Sequence, residues 1–231
     1  MKIILKITSI AILLFSISSD SLAQKTIKEG SVIYELTDIT SDAPEVQMMK
    51  GSRMNLYFSK KMQKLEMSMM GGLLEITTIT DLSTEENTML TNMMGNKAMV
   101  KMSKEESEKQ QEKNMKPEYD ITYDKNDTKK IAGYNCYKAV LKSKDGDVIN
   151  TYVTDEFQTK LKFFTEMFPG LKVFPMEYSI ENEGFALVFS AQEVNTKVDS
   201  DTFDIPSEGY TEMTMEEFEK QMGGLGGGMG F

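Results

Sequence analysis

The 231-residue chain contains no histidine, one cysteine and five prolines, and its acidic residues outnumber the basic ones by 36 to 26. The missing histidine removes the commonest general base and the commonest metal ligand together. Gly-x-Ser-x-Gly elbows, phosphate-cradling loops and Cys/His pairs are also missing, so neither an enzyme nor a cofactor is expected. A formal charge of −10 leaves no basic stripe for a phosphate backbone and argues against nucleic acid as a partner. The single thiol, Cys136, cannot close an internal disulfide. Its neighbours Tyr134, Tyr137 and Val140 favour a buried strand position over pairing between chains.

Long apolar runs are scarce as well. The one that stands out, Ile7 to Ile17, is too short to span a membrane. Lys2 and Lys6 precede it, and Ser21-Leu22-Ala23 places small residues at −3 and −1, so residues 1–23 read as a signal peptide cleaved after Ala23. Removing Lys2, Lys6 and Asp20 with it takes the charge from −10 to −11. The expected product is an acidic periplasmic or secreted protein that does not span the membrane.

What the mature chain does contain is alternation. Val32, Tyr34 and Leu36, then Met54, Leu56 and Phe58, then Leu65, Met67 and Met69 recur every second residue, and Gly71-Gly72 turns the chain into Leu74, Ile76 and Thr78. Further strands are expected around Thr88–Thr91, Lys97–Met102 and Glu118–Asp124. Ile131 to Leu141 and Val148 to Val153 form a hairpin through Asp145-Gly146, and Phe174 to Ile180 and Phe185 to Ala191 form another. This gives about eleven strands with no βαβ rhythm, hence a mainly β fold: one large curled antiparallel sheet, an incomplete barrel. Residues 24–212 are assigned to this single half-barrel domain. Residues 103–117, rich in Lys and Glu, read as a charged mobile insert, either a frayed helix or a loop.

One or two short helices should cover the concave face. Phe157, Leu161, Phe164 and Phe168 recur at i, i+4, i+7 and i+11, predicting a helix that opens at Thr154-Asp-Glu-Phe157 and stops at Pro169-Gly170. A second helix begins at Thr214-x-x-Glu217, a capping box, with Met215, Phe218 and Met222 on one face. Residues 213–231 are thus a short helix followed by a glycine-rich tail with too little to bury.

Methionine is the real excess: 20 in all, 13 of them between Met48 and Met115. Thioethers accept Cu(I) or Ag(I), so Met67, Met69, Met70, Met93 and Met94 form a candidate soft-metal set. The absence of His or Cys around them favours an adaptable apolar lining instead. The residues expected to face a hydrophobic ligand are Phe157, Leu161, Phe164, Phe168, Leu65, Met67, Met69, Met176 and Tyr178. Either a hollow remains between helix and sheet, or the four large side chains fill it.

Three blocks carry a resemblance: Ile131-Ala-Gly-Tyr-Asn-Cys136-Tyr-Lys-Ala139, Thr151-Tyr-Val-Thr-Asp-Glu156 and Phe203-Asp-Ile-Pro-Ser-Glu-Gly-Tyr210, with Phe174-Pro175 as a shorter fourth. Within residues 118–212 the chain resembles an uncharacterised family of exported bacterial proteins, itself similar to the outer-membrane lipoprotein carrier superfamily. The resemblance implies a half-barrel closed by helices over an apolar cavity, without a catalytic motif; the Met-rich half departs from true carriers. The expected function is non-enzymatic binding or carriage of a hydrophobic molecule, a lipid or acyl chain. The alternatives are an envelope interaction module using the C-terminal helix, or a Met-based Cu(I)/Ag(I) binder.

Overall fold

A computed structural model describes residues 25–113, 118–144, 146–182 and 185–223. Residues 1–24, where a signal peptide is expected, Pro117, Asp145 of the central hairpin and the tail from 224 lie outside them. In chain order the strands are β1 (Lys25–Thr26), β2 (Gly30–Ile39), β3 (Arg53–Phe58), β4 (Met62–Met69), β5 (Leu74–Asp81), β6 (Asn87–Met93) and β7 (Asn96–Met102). They continue as β8 (Tyr119–Ile131), β9 (Tyr134–Ser143), β10 (Val148–Thr154), β11 (Phe157–Gln158), β12 (Phe174–Asn182), β13 (Phe185–Asn195) and β14 (Thr211–Met213). The α-helices are α1 (Pro44–Gln47), α2 (Lys104–Lys113), α3 (Lys162–Met167) and α4 (Met215–Gly223).

Twelve strands form one sheet in the order β14-β7-β6-β5-β4-β3-β2-β13-β12-β10-β9-β8, and the two ends do not meet. Every neighbouring pair in it is antiparallel except β14 on β7. The fold is therefore the expected open, curled β-sheet. Alternation decides which side chains face inward. The register aligns Val32, Leu56, Leu65, Thr78, Met89 and Val100 across six strands, and Tyr34, Met54, Met67, Ile76, Thr91 and Ala98 in the next row. Because the side-chain period is two, a one-residue slip anywhere would turn these rows outward.

The main core lies against the β2, β3, β12 and β13 part of the inner face, where Val32, Tyr34, Met176 and Tyr178 are almost fully buried. A smaller cluster of Ile79, Leu90 and Met99 sits on the opposite face, with Met62 and Tyr210 against it. The strap between β13 and β14 crosses that outer face. It buries Phe203 in a 3-10 turn, and Lys64 Nζ donates to Thr202 O at 2.9 Å.

One expected element is redrawn. The helix predicted from residue 154 does not begin there: Phe157 and Gln158 pair in parallel with Lys25 and Thr26, and only Lys162–Met167 is helical. The helical periodicity is overruled there because the carbonyls of Glu156 and Gln158 accept from Lys25 N and Ile27 N. The charged insert is also more ordered than a loop, with Lys104–Lys113 forming α2. The Gly71-Gly72 turn is a 3-10 turn over Met70–Gly72 rather than a two-residue hairpin.

Candidate functional site

The aromatic stripe folds inward as a plug. Phe157, Leu161, Phe164 and Phe168 are each at most 6% exposed. Phe164 meets Tyr34 edge-on at 5.7 Å between ring centroids and Phe174 at 5.4 Å, while Phe168 meets Tyr178 at 5.4 Å. Tyr34 donates its hydroxyl hydrogen to Pro175 O at 2.5 Å, and Tyr178 donates to the Met54 thioether at 3.5 Å. Burial raises both phenol pKa values well above the ordinary tyrosine range, so both stay neutral donors. Burial likewise pushes the Cys136 thiol up to about 11, the opposite of what a reactive cysteine needs.

The short helix has no side-chain cap of its own and borrows one from the sheet. Gln63, buried on β4, donates Nε2 to Lys160 O at 2.6 Å and accepts from Lys162 N at 2.9 Å. A second buried polar chain fastens α2: Thr80 Oγ1 donates to Asn87 Oδ1 at 2.5 Å, and Asn87 Nδ2 donates to Ser107 Oγ at 2.8 Å. With exposed contacts from Lys104 to Glu85 and from Gln110 to Glu219, both at 3.1 Å, these links hold α2, which has no apolar residue to anchor it.

Between these two attachments the inner face is not filled. A hollow of about 260 Å³ is floored by Leu56, Gln63, Leu65, Thr78, Thr80, Asn87 and Met102. Its walls come from Ser107 and Gln110 of α2, Leu161, Lys162, Phe163 and Glu166 around α3, and Met215 of α4. One side is greasy and the other offers amides and hydroxyls. Lys162 and Glu166 form a half-buried ion pair at 3.7 Å there. A second hollow of about 200 Å³ lies by β6 and β7, with Thr91, Met93, Ala98, Met213 and Phe218 among its walls.

The sequence-nominated residues divide between plug and hollow. Leu65 and Leu161 line the larger hollow. Phe157, Phe164, Phe168, Met176 and Tyr178 are packed in the main core, and half-buried Met67 lies against it. Met69 is buried opposite Leu74, which stands between it and Met93 in the pairing ladder. Met70 and Met94 occupy hairpin turns with φ of 54° and 51°, and Met94 is 71% exposed. The five candidate soft-metal thioethers thus divide between strand faces and turns. Among the described residues, no group of three or more His, Cys, Asp or Glu could hold a metal ion, and no helix is long and apolar enough to cross a membrane. Sequence reasoning missed Gln63, Thr78, Thr80, Asn87 and Ser107. The signal for the first four was a polar residue at an inward position of a strand; Ser107, on α2, had none.

Fold and site together define an open, curled β-sheet module whose inner face is part plugged by aromatic side chains and part hollow beneath short helices. The chain belongs to the family described as Domain of unknown function (DUF4412), which matches residues 42–168, more than half of the chain. That match takes in the Met-rich half and ends at Phe168. No curated protein matches the sequence. Among solved structures, the chain is similar to an uncharacterized conserved protein from Thermus thermophilus, at 10% identity and a TM-score of 0.48, covering 81% of this chain and 91% of that one. It is also similar to a DUF1329 family protein from Desulfovibrio piger, at 12% identity and a TM-score of 0.34, covering 80% and 92%. MucB in complex with MucA(peri) matches at 10% identity and a TM-score of 0.30, covering 78% of this chain and 54% of MucB.

Proposed function

We propose that this protein is a non-enzymatic, exported binding module that holds a small amphipathic molecule, such as the end of an acyl chain, in the hollow between α3 and α2/α4. The observation that carries this reading is the two-sided lining, with Leu56, Leu65, Met102, Leu161, Phe163 and Met215 set against Thr78, Thr80, Asn87 and Gln110. A volume of about 260 Å³ lies just below the ~300–1,000 Å³ usual for ligand pockets, so a small molecule or a chain terminus fits and a whole lipid does not. The absence of histidine and the raised thiol pKa of Cys136 support binding without chemistry.

The test is calorimetric titration with octanoic acid, alongside native mass spectrometry of protein purified from the export compartment. Wild type should bind saturably, and Thr78→Phe, which fills the floor, should weaken binding at least about tenfold with little change in Tm. Equal binding by both proteins, or none by wild type, would overturn the reading. The hollow and not the plug is the place to mutate, because Phe164 is core.

A further inference from the structure

Both hollows have the same segment in their walls. Met215 borders the larger one, and Met213 and Phe218 border the smaller. All three belong to the C-terminal arm, residues 211–223, which adds β14 in parallel to β7 and then lays α4 beside that strand. A segment that leaves unfilled space on two sides forfeits dispersion contacts there and holds its seat weakly. Only three residues of β14 pair with β7, so the register Thr211↔Ala98 to Met213↔Val100 covers part of a seven-residue edge.

The arm is also built to leave intact. Thr214 and Glu217 cap each other: Thr214 N donates to Glu217 Oε2 at 2.8 Å and Glu217 N donates to Thr214 Oγ1 at 3.2 Å. Lys220 and Glu216 pair one turn apart, at 2.7 Å. Upstream, the strap is fastened separately, by buried Phe203 and by Tyr210 against Ile79, Leu90 and Met99. Residues 211–223 can therefore detach without loosening the outer-face cluster, giving up the exposed hydrogen bond from Gln110 Nε2 to Glu219 Oε1 at 3.1 Å.

The receiving edge carries its own charge preference. Lys101 pairs with Glu212 at 3.1 Å, and Lys97 lies over the Tyr210 ring at 5.5 Å, in a chain whose net charge is −10. The arm it holds is acidic, with Glu212, Glu216, Glu217 and Glu219 against Lys220. We propose that the β7 edge and the groove beside it form a receptor for an acidic strand-then-helix segment of another protein, and that residues 211–223 occupy it in cis as a self-inhibitory ligand. The partner segment presents an apolar residue in an extended stretch, as Met213 does, followed by two apolar residues three apart on a helix, as Met215 and Phe218 are.

The probe is a fluorescein-labelled peptide of residues 209–223, followed by anisotropy with the full chain and with a chain ending at Tyr210. Circular dichroism and cooperative unfolding establish that the shortened chain is folded. The shortened chain should bind saturably, and a peptide with Met213→Lys and Phe218→Lys should not. A tethered arm at an effective concentration in the ~mM range competing with a ~10 μM site should weaken peptide binding to the full chain about 100-fold without abolishing it.

The second variant keeps the whole chain. Ala98→Cys with Thr211→Cys joins in-register partners, while buried Cys136 stays out of the exchange. Oxidation should abolish peptide uptake and a reductant should restore it. The proposal is overturned if the folded shortened chain ignores the peptide. It is equally overturned if the oxidised double-cysteine chain takes up the peptide as well as the reduced one, or if the full chain binds the peptide as tightly as the shortened chain does. The peptide assay reads the edge groove and octanoate reads the hollow, so either can fail alone.

Discussion

Truncating Phe164 to alanine distinguishes a plug from a lid over empty space. The Phe164 ring is 6% exposed and has five aromatic neighbours, with centroids 5.7 Å from Tyr34, 5.1 Å from Phe163, 6.0 Å from Phe168, 5.4 Å from Phe174 and 6.0 Å from Tyr178. A site walled by rings on several strands cannot collapse around the gap, so the loss should be about 3–5 kcal/mol. At roughly 2–4 °C per kcal/mol for a chain of this size, Tm should fall roughly 6–20 °C. Phe163, one residue earlier, is half-buried and borders the larger hollow, so its truncation should cost only about 1 kcal/mol. Urea denaturation followed by far-ultraviolet circular dichroism measures both, with an unchanged m-value confirming that the denatured states are alike. A cost below about 1 kcal/mol for Phe164→Ala, or one no larger than for Phe163→Ala, would refute the plug.

Two further outcomes test local physics. The Cys136 thiol is raised from 9.0 to about 11, so the native state favours its neutral form; that contribution is complete below about pH 9 and is lost as pH rises through about 11. Urea midpoints between pH 8 and 11 should therefore fall less steeply for Cys136→Ala, and identical slopes would count against it. Met94 has φ of 51° and Gly95 has φ of 91°, a turn that suits Asn-Gly, and the exposed methionine side chain has little to lose. Met94→Asn should thus stabilise by about 0.5–1 kcal/mol in thermal melts, and a fall in Tm would contradict the strain.

Alternation, caps and stripes could be read directly. Val32/Tyr34/Leu36 and Met54/Leu56/Phe58 face inward because successive strand residues point to opposite sides, and no partner is needed to know it. The Thr214/Glu217 box formed because both its halves lie within one turn. The apolar stripe from Phe157 to Phe168 was legible as buried, and it is. Its conformation was not legible: Phe157 and Gln158 became strand because Lys25 and Thr26 arrive beside them, a contact that local periodicity cannot contain.

The candidate site divides along the same line. The residues chosen by hydropathy were mostly those that fill the core, since burying apolar area is what they do best. The hollow depends on how distant segments meet: α2, held by polar links through Asn87–Ser107, Lys104–Glu85 and Gln110–Glu219, and an arm that contributes Met215 to its wall. By itself the sequence determined the longer strands, their inward faces, the acidic composition and the buried thiol, because each follows from neighbours a few residues away. Tertiary structure alone decided where α3 starts, how β14 closes the edge and where space remains, because those depend on distant segments meeting at particular distances.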